Sequence, residues 1–147
     1  KLGFDDMVSV NDSGPLYRMP GENSKIKQTL FTKKNAESIS QFIKTWKKNE
    51  TILIHCWCGV SRSMATAIFT LFTLEKKNID QNVRYIRKIA PHAKPNKLML
   101  SFFEEILGTG NQINAAFEKY PYTTSFDCEN NFAPVTIFDY NDMINFK

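Results

Sequence analysis

The sequence predicts an α/β fold in which helices flank a mostly parallel central sheet, and three observations predict it. Residues 51–54, Thr-Ile-Leu-Ile, form a short apolar run rich in β-branched side chains, the pattern of a strand buried on both faces. From Arg62 the period changes, with Met64, Ala65, Ile68, Leu71 and Phe72 recurring at spacings of three and four, as on one face of a helix. A tight loop separates the two, so the unit reads strand, loop, helix.

The remaining elements follow in order. Residues 1–10 read as the end of a strand, with Leu2 and Phe4 alternating before Asp5 and Asp6. Residues 11–34 turn to loop composition, with Gly14-Pro15 and Pro20-Gly21, and are long enough to imply a segment packed over a site or moving freely. Residues 35–49 predict an amphipathic helix with Ile39, Phe42, Ile43 and Trp46 on one face. After the central strand and the helix of about 62–77, Asp80 is placed to cap a helix whose Val83, Ile86 and Ile89 face inward, and Pro91 stops it. Asn96 is placed to cap the next, which carries Leu98, Met99, Phe102, Phe103, Ile106 and Leu107 and ends at Gly108. A short helix over about 111–119 follows, then a Pro-punctuated aromatic tail with one strand-like run at residues 135–138.

The chain of 147 residues suits a single domain over 1–147, long enough to bury a core. Its composition is that of a globular protein, with 42% hydrophobic, 23% charged and 13% aromatic residues. The net charge of +4 comes from dispersed lysines, which favours an anionic partner and argues against nucleic acid. No apolar run approaches the length of a membrane span. Three cysteines do not make a disulfide framework.

The loop at 55–63, His-Cys-Trp-Cys-Gly-Val-Ser-Arg-Ser, carries the chemistry. A loop running into a helix start gathers backbone N–H groups without partners at the positive end of the helix dipole, a cradle for an anion. Gly59 helps because it reaches positive φ without steric cost. A thiol at the mouth of such a cradle, beside a fixed cation, has its pKa lowered, which makes Cys56 a thiolate nucleophile. Arg62 offers a planar fork that matches two oxygens of a phosphate. The same reading has His55 fixing the loop by hydrogen bonding, and Ser63 bonding the sulfur or helping it leave in a second step.

Positions 55–63 resemble the phosphate-binding loop of the dual-specificity branch of the cysteine-based protein tyrosine phosphatases. Residues 87–96, Arg-Lys-Ile-Ala-Pro-His-Ala-Lys-Pro-Asn, are similar to the Pro-x-Ala-x-Pro-Asn region that follows the main helix in that branch. Within it, the chain looks most like small bacterial tyrosine phosphatase-like proteins, over roughly residues 35–107. The resemblance implies a phosphatase-like sheet and hydrolysis of phosphotyrosine, with phosphoserine and phosphothreonine as further candidates, through a cysteinyl-phosphate. It implies substrate binding by Trp57, Cys58, Gly59, Val60, Ser61 and Arg62, support of the loop by His55 and Asn96, and catalysis by Cys56, Arg62 and Ser63. It implies no metal or other cofactor, a phosphorylated protein or peptide as partner, and a reducing, cytoplasmic setting for the thiolate. Because the loop lies late in that family's domain and Cys56 comes early here, two readings stay open: the first strands of the sheet, with any targeting segment, lie outside these residues, or the protein is a short one.

The resemblance also asks for an aspartate upstream of the loop as general acid. Asp5, Asp6 and Asp12 are the candidates, and Asp6 is the choice because it sits where a strand is predicted to end. Cys58 is read as filling a small-residue slot, with a redox bridge to Cys56 or half a metal site as alternatives. Trp57 lines the pocket or packs beneath the loop, and those two readings stay open. Cys128 reads as a small apolar residue and His92 as a solvated turn residue, while Arg18, Lys25 and Lys27 read as hydrated loop charges. Two other functions remain: a phosphatase-like module that binds phosphorylated partners without turnover, and a rhodanese-type sulfurtransferase, which the Ser61-Arg62-Ser63 sequence fits poorly.

Overall fold

A computed structural model describes residues 2–8, 29–47, 49–75, 78–126 and 132–147. Asp12, Arg18, Lys25, Lys27, Cys128 and most of the predicted 11–34 loop lie outside them. Among the described residues six helices follow one another: α1 (Lys33–Thr45), α2 (Arg62–Leu74), α3 (Ile79–Ile89), α4 (Lys97–Leu107), α5 (Gln112–Lys119) and α6 (Tyr140–Asn145). Among the described residues there is no strand, so the predicted α/β fold with its parallel sheet is overturned.

The reason lies in what makes a strand. An extended apolar run becomes a strand only when a neighbour pairs with its backbone, and residues 51–56 have no such ladder among the described residues. They are extended but not buried on both faces. Ile52, Ile54 and Cys56 are half-buried, whereas Thr51, Leu53 and His55 face solvent, Leu53 at 83% exposure. Residues 135–138 behave alike, with Val135 and Ile137 exposed and no pairing. Residues 2–8 form no strand either. They are held by side chains, by a local bond from Met7 N–H to Asp5 O (3.0 Å), and by one backbone bond to another segment, from Asp5 N–H to Thr29 O (2.8 Å).

The helices form where capping and period expect them, with shifted edges. Thr32 and Asn35 make a reciprocal capping box that starts α1 before residue 35. α1 turns Phe42 outward, against expectation, and buries Ala36, Ser40 and Ile43 instead. α3 starts after Asn78, in the left-handed region at φ 57°, so Asp80 sits inside the first turn and not at the cap. There it bonds Lys119 and Tyr120 of the α5 end. Asn96 caps α4 as expected, accepting from Met99 N–H (3.0 Å), and Gly108 closes it at φ 71°.

The core forms around α4, which packs against α1, α2 and α5, while α3 packs against α5 and α6. Phe69 of α2 stacks on Phe103 of α4 with centroids 4.2 Å apart and planes 8° apart, and Phe31 meets Phe103 edge-on. The turn from α4 into α5 encloses a carboxylate. Glu104 is buried and accepts from Ile113 N–H (2.5 Å), Asn114 N–H and Nδ2–H, and Thr109 Oγ1–H. It supplies the acceptors that the α5 cap residue, Asn111, does not.

His92 is buried at 3% exposure and not solvated. It lies edge-on to Phe126, and its Nε2 has no hydrogen-bond partner among the described residues. Burial first, and the charge of Arg87 second, hold its imidazole below the usual histidine value.

Two outcomes follow for stability. Phe103→Ala removes the ring on which α2 and α4 meet and should cost about 3–5 kcal/mol in urea unfolding. Because the folded value of His92 lies below the unfolded one, the unfolded chain binds the extra proton first. Stability is then full above about pH 6.5 and falls as pH drops toward the folded value. His92→Leu should flatten that slope below about pH 6.5; an unchanged slope would assign it to other groups.

Candidate active site

The loop after the extended segment enters α2 at Arg62, as the spacing predicts, and it closes around Cys56. Gly59 N–H points at Cys56 Sγ (3.4 Å), and Ser63 Oγ lies 3.3 Å from it in hydrogen-bonding geometry. Gly59 takes φ 81°, the conformation that glycine was expected to supply. Burial pushes the Cys56 thiol up. The Ser63 hydroxyl, the Ser63 and Gly59 N–H groups and the charge of Arg62 outweigh it, and they hold the thiol below its ordinary value. Cys56 is free, whereas Cys58, read as a small-residue filler, is disulfide-bonded.

The loop is braced from two sides. Lys94 N–H, in the Pro-Asn block, donates to Val60 O (3.0 Å), and Ala133 N–H donates to Cys58 O (3.1 Å). A Cβ at Gly59 would stand 3.4 Å from that of Ala133, so the C-terminal segment lies against the loop. The His55 side chain, expected to fix the loop, is exposed and makes no hydrogen bond among the described residues. Trp57 is 74% exposed and meets Phe132 edge-on at 5.9 Å, which excludes the reading that packs it beneath the loop.

The structure separates the aspartates. Asp5 is bound to Thr29, whose N–H donates to Asp5 Oδ2 (2.6 Å). Asp6 reaches the loop: Ser61 Oγ–H donates to its Oδ1 (2.7 Å), and Asn96 Nδ2–H donates to the same oxygen (2.8 Å). Arg62 faces both the carboxylate and the segment that carries it. Its Nε lies 3.9 Å from Asp6 Oδ2, and its Nη1–H donates to Phe4 O (2.9 Å). Arg62 Nε is buried without a hydrogen-bond partner among the described residues. A buried donor left open next to a lowered thiol is one that an oxyanion would satisfy.

Asn96 therefore meets the segment that carries Asp6, and it reaches the loop through the bond of that carboxylate to Ser61. Ser61, at the α2 cap position, makes no side-chain cap, because its hydroxyl is turned to Asp6. Sequence reasoning missed this contact and the Ala133 brace. Ser61 is flagged only by standing before the arginine, and nothing in the local pattern flags Ala133.

Two surface depressions, of about 510 and 480 Å³, lie at α3/α5 and at the α4–α5 corner, neither lined by the loop. An anion cradle needs converging N–H groups more than depth. Among the described residues no three His, Cys, Asp or Glu gather as a metal site, and no helix is long and apolar enough to cross a membrane.

The lowered thiol has a direct readout. The rate of Cys56 alkylation by iodoacetamide, followed against pH, should rise with a midpoint below 9.0. Ser63→Ala should move that midpoint up, and Arg62→Ala should move it up by less, since the arginine charge is the smallest of the stabilising contributions.

No protein-family model matches the chain, and no curated protein or solved structure matches it either; the chemistry of the loop is what speaks to function.

Proposed function

We propose that this protein hydrolyses phosphoric monoesters through a cysteinyl-phosphate, with tyrosine-phosphorylated protein or peptide as the leading substrate. One observation carries the reading: Cys56 Sγ sits among the Gly59 N–H, the Ser63 N–H and the Ser63 hydroxyl, with Arg62 beside it at the start of α2. That arrangement keeps a thiolate nucleophile and an oxyanion site in one loop.

In the first step the thiolate attacks phosphorus, forming the S–P bond as the ester P–O bond breaks. Arg62 and the loop N–H groups hold the non-bridging oxygens as charge spreads over them. Asp6 gives its proton to the departing oxygen. In the second step water attacks phosphorus while Asp6 takes its proton, and the thiolate leaves, assisted by Ser63. No metal or other cofactor enters these steps. Phosphotyrosine leads through the family resemblance, with phosphoserine and phosphothreonine behind it. Trp57, next to Cys56 in sequence, is exposed and free to meet an aryl ester. A thiolate nucleophile asks for reducing surroundings, so the cytoplasm is the proposed compartment. The Cys58 disulfide weighs the other way.

A second reading has a specific observation in its favour. Arg62 is already engaged by Phe4 O and faces Asp6, so phosphate must displace or share those contacts. A domain whose arginine stays so engaged would capture phosphorylated partners weakly, without turnover. Thiosulfate sulfurtransfer, the rhodanese reading, is tested in the same assay series.

Hydrolysis of p-nitrophenyl phosphate between about pH 5 and pH 8 under reducing conditions should be measurable. Cys56→Ser should lower it about a thousandfold or more while keeping vanadate binding. Turnover by Cys56→Ser near the wild-type rate would sink the covalent mechanism. An inert wild type that binds phosphopeptide would move the function to capture.

A further inference from the structure

We propose that Ser61 and Asn96 are positioning residues for the general acid: together they occupy Asp6 Oδ1 and so make Oδ2 the oxygen that carries and delivers the proton. The inference rests on the cysteinyl-phosphate reading and adds to it which oxygen acts and what aims it.

The hydrogen-bond inventory at Asn96 is closed. Its Oδ1 accepts from Met99 N–H (3.0 Å), and this fixes the amide orientation, because only the oxygen can face that donor. Nδ2 then points the other way with two hydrogens, one to Asp6 Oδ1 (2.8 Å) and one to Met7 O (3.1 Å). Asn96 is 5% exposed, so these bonds meet little competition from water. The amide thus grips both the acid and the next residue's carbonyl, and α4 anchors the grip.

Ser61 closes the arrangement from the loop side, donating 2.7 Å to the same Oδ1. An oxygen accepting from two donors has no place for a proton of its own. Oδ2 accepts no hydrogen bond among the described residues, and its neighbour is Arg62 Nε at 3.9 Å. A proton carried by Asp6 therefore resides on Oδ2, on the side of the residue that would hold the phosphate. When the ester bond breaks, the Oδ2–H bond breaks and its proton joins the departing oxygen. When water attacks, its proton returns to Oδ2.

The test compares two esters that differ in leaving group. Phenyl phosphate leaves as a strongly basic oxygen and needs the acid; 2,4-dinitrophenyl phosphate leaves without help. For each variant the quantity read is the loss in kcat/KM on the first ester divided by the loss on the second. Asp6→Asn sets the scale, with an expected ratio of about a hundred. Ser61→Ala and Asn96→Asp should each give a ratio of about ten, and neither should add to the ratio of Asp6→Asn when combined with it. Ser61→Thr, which keeps the hydroxyl, should restore a ratio near one. Asn96→Asp keeps an acceptor for Met99 N–H and so keeps the cap, while it loses the amide donors. Ser61→Ala removes no cap, since the Ser61 side chain makes none.

Equal losses on both esters in Ser61→Ala and Asn96→Asp, with a large ratio in Asp6→Asn, would make them merely structural and overturn the proposal alone. A ratio of one in Asp6→Asn would remove Asp6 as the acid and the proposal with it. Absence of turnover by the wild type on either ester would overturn the hydrolase reading itself.

Discussion

The stacked rings of Phe69 and Phe103 set the geometry on which the site depends. Each lies about two turns into its helix, Phe69 from the start of α2 and Phe103 from the start of α4. The two N-termini also meet, because Asp6 bridges them by accepting from Ser61 before α2 and Asn96 before α4. Two helix starts facing one carboxylate and one thiol concentrate partial positive charge in a small volume. The apolar core is thus what aims the polar groups.

Much of the helical structure was legible because it is local. The Asn96 cap, the Gly108 terminus and the stripes of α2 and α4 follow from spacing and side-chain chemistry within a few residues. The sheet was misread for the complementary reason. The Thr-Ile-Leu-Ile run is extended as expected, yet a strand is a property of two segments, and its period is the same with or without a partner. Phe42 and His92 show the same limit on a smaller scale. One is apolar and exposed, the other polar and buried, because neighbours from elsewhere in the chain decide which face is covered.

The site divides along that line. Cys56, Gly59, Arg62 and Ser63 sit within one loop and one helix turn, so their spacing alone reveals a thiol, a donor turn and a cation held together. The partner of that loop comes from far away: Asp6 meets Ser61 across 55 residues of chain and Asn96 across 90. Position at a predicted strand end favoured Asp6, and the contact with the loop is what distinguishes it from Asp5, which is bound to Thr29. Cys58 was read as filling a small-residue slot; its disulfide is a bond that the pattern at 55–63 did not reveal.

The brace from Ala133 N–H to Cys58 O bears on how the molecule is made. The loop around Cys56 draws one support from Asp6 and another from Ala133, segments that lie far from it in the sequence on either side. Closing contacts of such separation also carries the largest entropic cost, and they form late in folding. The helical core can assemble first from neighbouring segments, with the loop still unbraced. The orientation that Asp6 and Ala133 impose on Ser61 and Cys58 is then fixed after the helices that carry the loop.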